Sequence, residues 1–117
     1  MDEYFVELAY KQALKSTMNK KYGAILVDKN KVIGVGFNYS NRISTINKTY
    51  IYEPNKYTIH AERSCILNSN VKVFKHFSYM IIVKIVNNKP VIVSSCPMCT
   101  KLLAKYNIRS TEPAPVA

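Results

Sequence analysis

Apolar residues recur at helical spacing near the start of the chain and then change to the short runs that strands have. Residues 4–16 are predicted to be helical because four apolar side chains fall on one helical face: Phe5, Leu8, Ala9 and Ala13. Two apolar runs follow at 24–27 and 32–37, separated by a polar turn at 28–31. Short apolar runs flanking such a turn predict a β-hairpin.

A long polar segment and further elements complete the pattern. Residues 38–57 lack periodicity and contain Pro54, so we predict a loop, and loops of this length inside a domain are usually functional. Residues 61–67 favour a helix, and residues 79–86 and 90–94 favour two strands joined by a turn at Asn87 and Asn88. Pro97 suits the first position of a last helix. This order predicts an α/β domain with helices packed on the faces of one sheet.

Composition fits one packed domain. The chain has 117 residues and a hydrophobic content of 48%, which is enough for a core and too high for a disordered chain. No apolar run approaches the roughly 20 residues that a membrane span needs, and the N-terminus lacks a signal-peptide pattern. We therefore expect a cytoplasmic, intracellular protein with no membrane partner.

The net charge of +10 makes the protein a candidate for binding phosphates, on free nucleotides or on a polymer. Nearly all of the positive charge is lysine, spread from Lys11 to Lys105. This spread favours an ordinary solvated surface over the concentrated basic stripe of a nucleic-acid-binding protein.

Two short motifs carry the residues with chemistry, His60-Ala61-Glu62 and Cys96-Pro97-Met98-Cys99, and both lie at predicted helix starts. Cysteines three apart at a helix N-terminus point to one side, and the positive end of the helix favours their thiolates. One imidazole and two thiolates can hold zinc with a fourth position open for water. Glu62 is not needed as a ligand and is placed to shuttle protons to and from that water.

Each motif also has a simpler interpretation. A CxxC at a strand-to-helix junction is a thioredoxin-like redox signal as well, although this would leave His60 and Glu62 without a role. A closed zinc site needs a fourth ligand, and Cys65 is the only spare cysteine. Its setting predicts a small buried core residue instead. His76 has no partner motif and is interpreted as structural or exposed.

In this order, the two motifs and the segments at 22–27 and 33–38 resemble the cytidine and deoxycytidylate deaminase superfamily. The similarity runs from residue 4 to about residue 108. It implies a three-layer α/β/α fold with a mixed sheet, and zinc-dependent hydrolytic deamination of a cytosine base in a small-molecule nucleoside or nucleotide. The zinc ligands implied are His60, Cys96 and Cys99, with zinc-bound hydroxide as nucleophile and Glu62 as proton shuttle.

The resemblance also implies substrate contacts. It assigns Asn38 to the sugar, the backbone of Ala61 to the base pocket, and the backbone at Ser94 or Ser95 to the neighbourhood of the exocyclic amine. Histidine as the first ligand resembles the deoxycytidylate, tRNA-adenosine and polynucleotide-cytosine branches, because free-cytidine deaminases usually have cysteine there.

The chain departs from the family pattern at three places. Ser95 stands where the family usually has proline before the first cysteine, and the hairpin tip at 86–91 lengthens the gap between the motifs. This pattern is similar to a deaminase-like branch of large DNA viruses and eukaryotes. Where the family has two further strands and a helix, this sequence has only 109–117, whose prolines argue against a strand.

We therefore expect a deaminase domain over residues 1–111, shortened at its C-terminus, and a Pro/Ala tail over 112–117. A sheet edge exposed by this shortening needs cover, so we expect a homo-oligomer.

Two alternative functions remain open. The charge, with Tyr50, Tyr52 and Tyr57 as base-stacking residues, favours a deaminase of cytosine or adenosine in single-stranded DNA, RNA or tRNA. The shortened C-terminus favours a zinc-stabilised scaffold without turnover.

Overall fold

The computed structural model describes residues 3–40, 58–69 and 78–110. Within these ranges no helix is long and apolar enough to span a bilayer. The helices and strands predicted from the apolar pattern are confirmed, and three short strands are added to them. In chain order the elements are α1 (Glu3–Leu14), β1 (Tyr22–Asp28), β2 (Lys31–Phe37), β3 (Tyr39–Ser40), β4 (Thr58–Ile59), α2 (Ala61–Ser69), β5 (Ser78–Val86), β6 (Lys89–Ile92), α3 (Pro97–Lys105) and β7 (Ile108–Ser110).

The main sheet is mixed and runs in the order β2–β1–β5, with β6 and β7 both pairing with the remaining side of β5. All of its pairs are antiparallel except β5–β7, which is parallel. The β5–β6 turn has positive φ at Asn87 and Asn88, as the predicted hairpin turn requires. β3 and β4 form a separate two-stranded sheet, so the chain enters His60 directly from a strand.

Helices cover both faces of the sheet, which explains why β1 and β5 are apolar on both sides. Successive strand residues point to opposite faces. Ile25 and Val27 of β1 therefore pack with the α1 side, in a cluster made of Phe5, Ala9, Ala13, Ile25, Val27, Ile81 and Val83. Ala24 and Leu26 pack with the α2 and α3 side, in a cluster made of Ala24, Leu26, Ala61, Cys65, Ile66, Met80, Ile82, Leu103 and Ile108. With α1 on one face of the sheet and α2 and α3 on the other, the structure has the predicted three-layer α/β/α architecture.

The segment after α3 corrects one expectation. The prolines of the tail led us to predict no strand over 109–117, and this was wrong at its start. Arg109 pairs with Tyr79 and Ser110 with Met80, in the parallel β7–β5 ladder. Ile108 anchors the strand because its side chain is buried in the core. Among the described residues no strand pairs with the outer side of β7, and the expected homo-oligomer stays a prediction.

Two glycines let helices approach the sheet closely. A Cβ added to Gly23 would lie 2.5 Å from the backbone nitrogen of Ala13 and overlap the carbonyl oxygen of Ala9, so glycine there lets α1 rest on β1. A Cβ added to Gly36 would lie 2.8 Å from the Cα of Cys65 and overlap its backbone nitrogen. Gly36 therefore sets how closely α2 approaches β2.

Candidate active site

Four side chains with metal-binding atoms converge where α2 and α3 begin. His60 immediately precedes α2 and Glu62 lies in its first turn. Cys96 is the N-cap of α3 and Cys99 lies in its first turn. Their ligand atoms all lie within 4.8 Å of one another. The fold thus brings the two sequence motifs together.

The distances between the donor atoms fit one metal ion. His60 Nδ1 lies 3.6 Å from Cys96 Sγ and 3.3 Å from Cys99 Sγ. Sulfur and nitrogen ligands at about 2.3 and 2.0–2.1 Å from a tetrahedral zinc ion are themselves about 3.5 Å apart. The imidazole nitrogen therefore stands at the distance from each sulfur that zinc ligation needs.

Local interactions hold the two cysteines in the first turn of α3. Cys96 has extended backbone angles, φ −67° and ψ 160°, and its Sγ accepts a hydrogen bond from the Cys99 backbone N–H at 3.4 Å. Pro97 is the first helical residue, as the sequence predicts. The Thr100 hydroxyl donates to the Cys96 carbonyl at 2.9 Å. These bonds hold the Cys96 sulfur and the backbone turn that carries Cys99.

The surroundings of Cys99 favour its neutral thiol when no cation is bound. Burial raises the pKa of the Cys99 thiol well above its ordinary value, and the negative charge of Glu62 and the neighbouring Cys96 raise it further. A divalent cation reverses this balance, because a thiol that coordinates a metal loses its proton outright. A site of one imidazole and two thiols beside a carboxylate suits zinc chemically as well as geometrically.

Glu62 has a hydrogen-bond partner that the sequence did not reveal. Its side chain is only 5% exposed, and the Ser95 hydroxyl donates to its Oε2 at 3.1 Å. Ser95 stood out in the sequence only as a replacement of the family's proline. That substitution was the signal that could have pointed to the contact.

The other predicted substrate-contact residues are placed differently. Asn38 is buried, and its amide bonds to the start of β1 and to the residues before it: Oδ1 accepts from the Tyr22 N–H at 2.9 Å, and Nδ2 donates to the Lys20 carbonyl at 2.7 Å. Its bonds within the described residues thus do not include the His60 cluster. Ala61 is fully buried in the apolar core on the α2 and α3 side of the sheet, and Ser94 is exposed just before Ser95. Their contacts with substrate stay predictions.

Several residues named from the sequence lie outside the described residues. These are Tyr50, Tyr52 and Pro54 of the long polar segment, Tyr57 at its end, and His76.

Cys65 is confirmed as a core residue. It is fully buried on α2, and burial, followed by the charge of Glu62, raises the pKa of its thiol from 9.0 to about 12, against a lowering by a backbone hydrogen bond from Leu26. A thiol with this pKa stays protonated and unreactive in the folded protein at neutral pH.

The raised pKa of Cys65 predicts a loss of stability in alkali. Above pH 9.0 the thiol ionises in the unfolded chain but not in the folded one, so stability falls up to about pH 12. The slope for one such group is at most about 1.4 kcal/mol per pH unit. Urea unfolding at about pH 8 and about pH 10 should show the wild type losing about 1 kcal/mol more than Cys65→Ala. Equal losses in the two proteins would contradict the prediction.

Comparison with known proteins identifies the class. The model of the cytidine and deoxycytidylate deaminase zinc-binding region matches residues 1–112. The chain belongs to this family, as its two motifs and their geometry indicate. Membership implies a hydrolytic deaminase with a zinc-binding site.

Solved structures of deaminases share the fold. The cytidine deaminase from Mycobacterium tuberculosis is 15% identical, with 95% of this chain and 84% of that chain covered and a TM-score of 0.63. The cytidine deaminase from Burkholderia pseudomallei is 17% identical, with 92% and 77% covered and a TM-score of 0.62. The dCMP deaminase from the cyanophage S-TIM5 is 18% identical, with 93% and 82% covered and a TM-score of 0.61. At these identities the likeness concerns the fold, and no curated protein sequence matches the chain.

Proposed function

We propose that the protein is a zinc-dependent deaminase that converts a cytosine base to uracil in a nucleoside or nucleotide. The observation that carries this proposal is the convergence of His60 Nδ1 on the sulfurs of Cys96 and Cys99, beside the buried carboxylate of Glu62. In this proposal the histidine and the two cysteines hold the zinc ion. Zinc bound there supplies the Lewis acidity that lets a water molecule ionise near neutral pH.

Glu62 moves the protons of the reaction. It accepts one proton from the attacking water and passes it to the ring nitrogen, while the water oxygen bonds to the amine-bearing carbon. It then takes the remaining proton of that oxygen to the amine, which leaves as ammonia as the carbonyl of uracil forms. The burial of Glu62 supports this role, because excluding bulk water strengthens interactions with the charges that develop.

The proposed substrate contacts follow the family pattern, with one constraint from the structure. The backbone of Ala61 lines the base pocket, and the backbone at Ser94 or Ser95 lies near the exocyclic amine. Asn38 Nδ2 is committed to the Lys20 carbonyl and to the Met18 sulfur, at 2.7 and 3.4 Å. A contact from Asn38 to the sugar therefore uses the second lone pair of Oδ1, which accepts a hydrogen bond from a sugar hydroxyl.

A free nucleotide is favoured as the substrate. The structure of the cyanophage S-TIM5 dCMP deaminase has been solved in complex with dCMP and dUMP. The nucleic-acid alternative is based on the net charge of +10 and on Tyr50, Tyr52 and Tyr57, and it is tested in the same experiment.

The experiment is a substrate panel assayed for ammonia release, with zinc quantified on the same sample. The panel contains cytidine, deoxycytidine, their monophosphates, and single strands of DNA and RNA that contain cytosine or adenosine. We expect about one zinc per chain and turnover of at least one free nucleoside or nucleotide. Turnover of single strands alone would support the nucleic-acid alternative. A zinc-loaded protein inactive on the whole panel would contradict the proposal and favour the scaffold.

A further inference from the structure

We propose that the Ser95 hydroxyl is a positioning group that holds the Glu62 carboxylate in one orientation. This inference rests on the proposed function, because it gives the proton carrier a fixed place beside the metal site. The proline that usually precedes the first cysteine in the family has no side-chain donor, so the family pattern assigns no such role.

The hydrogen bond joins two separate parts of the fold. Glu62 extends from the first turn of α2, and Ser95 lies in the segment that connects β6 to α3. The Ser95 hydroxyl has one proton and two acceptors within reach, Glu62 Oε2 at 3.1 Å and the Cys96 carbonyl at 3.4 Å. The carboxylate is the nearer of the two and is the stronger acceptor when ionised, so the Ser95 hydroxyl donates its hydrogen bond to Glu62.

The donor itself is held by the backbone around it. Before it, the Val93 N–H donates to the Ile82 carbonyl at 3.0 Å and ties the segment to β5. After it, the Thr100 backbone N–H and hydroxyl donate to the Cys96 carbonyl at 2.8 and 2.9 Å. A side chain fixed in this way limits the rotamers of its partner, which is how supporting hydrogen bonds preorganise a site.

Restricting the rotamers matters for Glu62 because a glutamate side chain has three rotatable bonds. The last torsion of a glutamate is broad, and the hydrogen bond from Ser95 narrows it. The Glu62 side chain also bonds to the Cys99 thiol, a contact that ends when a bound metal displaces the thiol proton. A serine hydroxyl can donate or accept, so the contact persists whether or not the carboxyl group carries a proton.

The first test compares Ser95→Ala with Ser95→Thr in the zinc-loaded protein. Losing a hydrogen bond to a charged group is expected to lower kcat about 10- to 100-fold, with KM and zinc content unchanged. Threonine keeps the hydroxyl and should restore most of kcat. Ser69→Ala is the matched control, because it removes the same hydroxyl at the far end of α2, where it donates to the Ile66 carbonyl at 2.7 Å.

The second test does not depend on turnover. A double-mutant cycle combines Ser95→Ala with Glu62→Ala and measures urea unfolding of the zinc-loaded proteins. A direct hydrogen bond should give a coupling of about fivefold or more in the unfolding equilibrium constant. This coupling is expected even if the wild type deaminates nothing on the panel. Failure of the proposed function is therefore distinguishable from failure of this inference. Additive effects in the cycle would overturn the inference. So would an active enzyme in which Ser95→Ala keeps the wild-type kcat, or loss of zinc from Ser95→Ala.

Discussion

Replacing Glu62 with glutamine is expected to lower kcat for deamination by about 10³-fold or more, since general acid–base catalysis contributes about 10²–10⁴-fold. Glutamine has nearly the same size, and its amide oxygen can still accept from the Ser95 hydroxyl, which lies 3.1 Å from the carboxylate in the wild type. An amide cannot take up and return a proton at neutral pH. Steady-state kinetics on the best substrate of the panel, with zinc measured on the same preparation, tests the prediction.

The zinc content of this variant separates two roles for Glu62. Its carboxylate lies within 4.8 Å of the three other donor atoms, so a ligand role is geometrically open. If His60, Cys96 and Cys99 are sufficient ligands, Glu62→Gln keeps its zinc while losing activity. Loss of zinc would make Glu62 a ligand, and wild-type turnover would remove it from the mechanism. Glu7→Gln, the same change on the exposed side of α1, is the matched control.

A single methyl group at Gly36 is expected to lower kcat about 10²-fold, because displacing a catalytic group by about 1 Å costs that much. The added Cβ would overlap the backbone nitrogen of Cys65 and lie 2.8 Å from its Cα. Backbone atoms cannot rotate away, so α2 must move outward. Its first turn carries Glu62, and His60 immediately precedes it, so the donor atoms would separate. Zinc affinity should fall together with kcat.

Gly23→Ala provides the control for this prediction. It adds the same methyl group to the same sheet but on the opposite face, against the backbone of Ala9 and Ala13 in α1. Overpacking of this kind typically costs about 1–3 kcal/mol of folding stability, so both variants should unfold at lower urea concentrations. Only Gly36→Ala should lose zinc at a given concentration of competing chelator. Equal zinc loss in the two variants would show that the effect is general destabilisation.

The sequence predicted those parts of the structure that depend on local pattern. The order of helical and strand patterns predicted helices packed on the faces of one sheet, and Pro97 predicted the start of α3. The motif residues were found because metal-binding residue types at this spacing, at two predicted helix starts, indicate donors that can share one metal ion.

Features that depend on how elements approach one another were not predictable in the same way. The Ser95 to Glu62 hydrogen bond joins residues far apart in sequence, and it forms only once α2 and the segment before α3 lie side by side. Strand β7 was missed because its three residues, Ile108–Ser110, are too few to show a period, and the prolines farther along argued against a strand. The buried amide of Asn38 likewise bonds to Lys20 and Tyr22, which lie far from it in sequence.

The β5–β6 hairpin can change in length at its turn without moving the residues that lead into the metal site. The hairpin extends from the pair Val83 and Ile92 to its turn at Asn87 and Asn88, while the Val93 N–H remains bonded to the Ile82 carbonyl. Adding one residue to each strand at the turn would lengthen the ladder without changing the register where the chain leaves for α3. The long gap between the histidine and cysteine motifs of this chain is therefore compatible with an undistorted metal site.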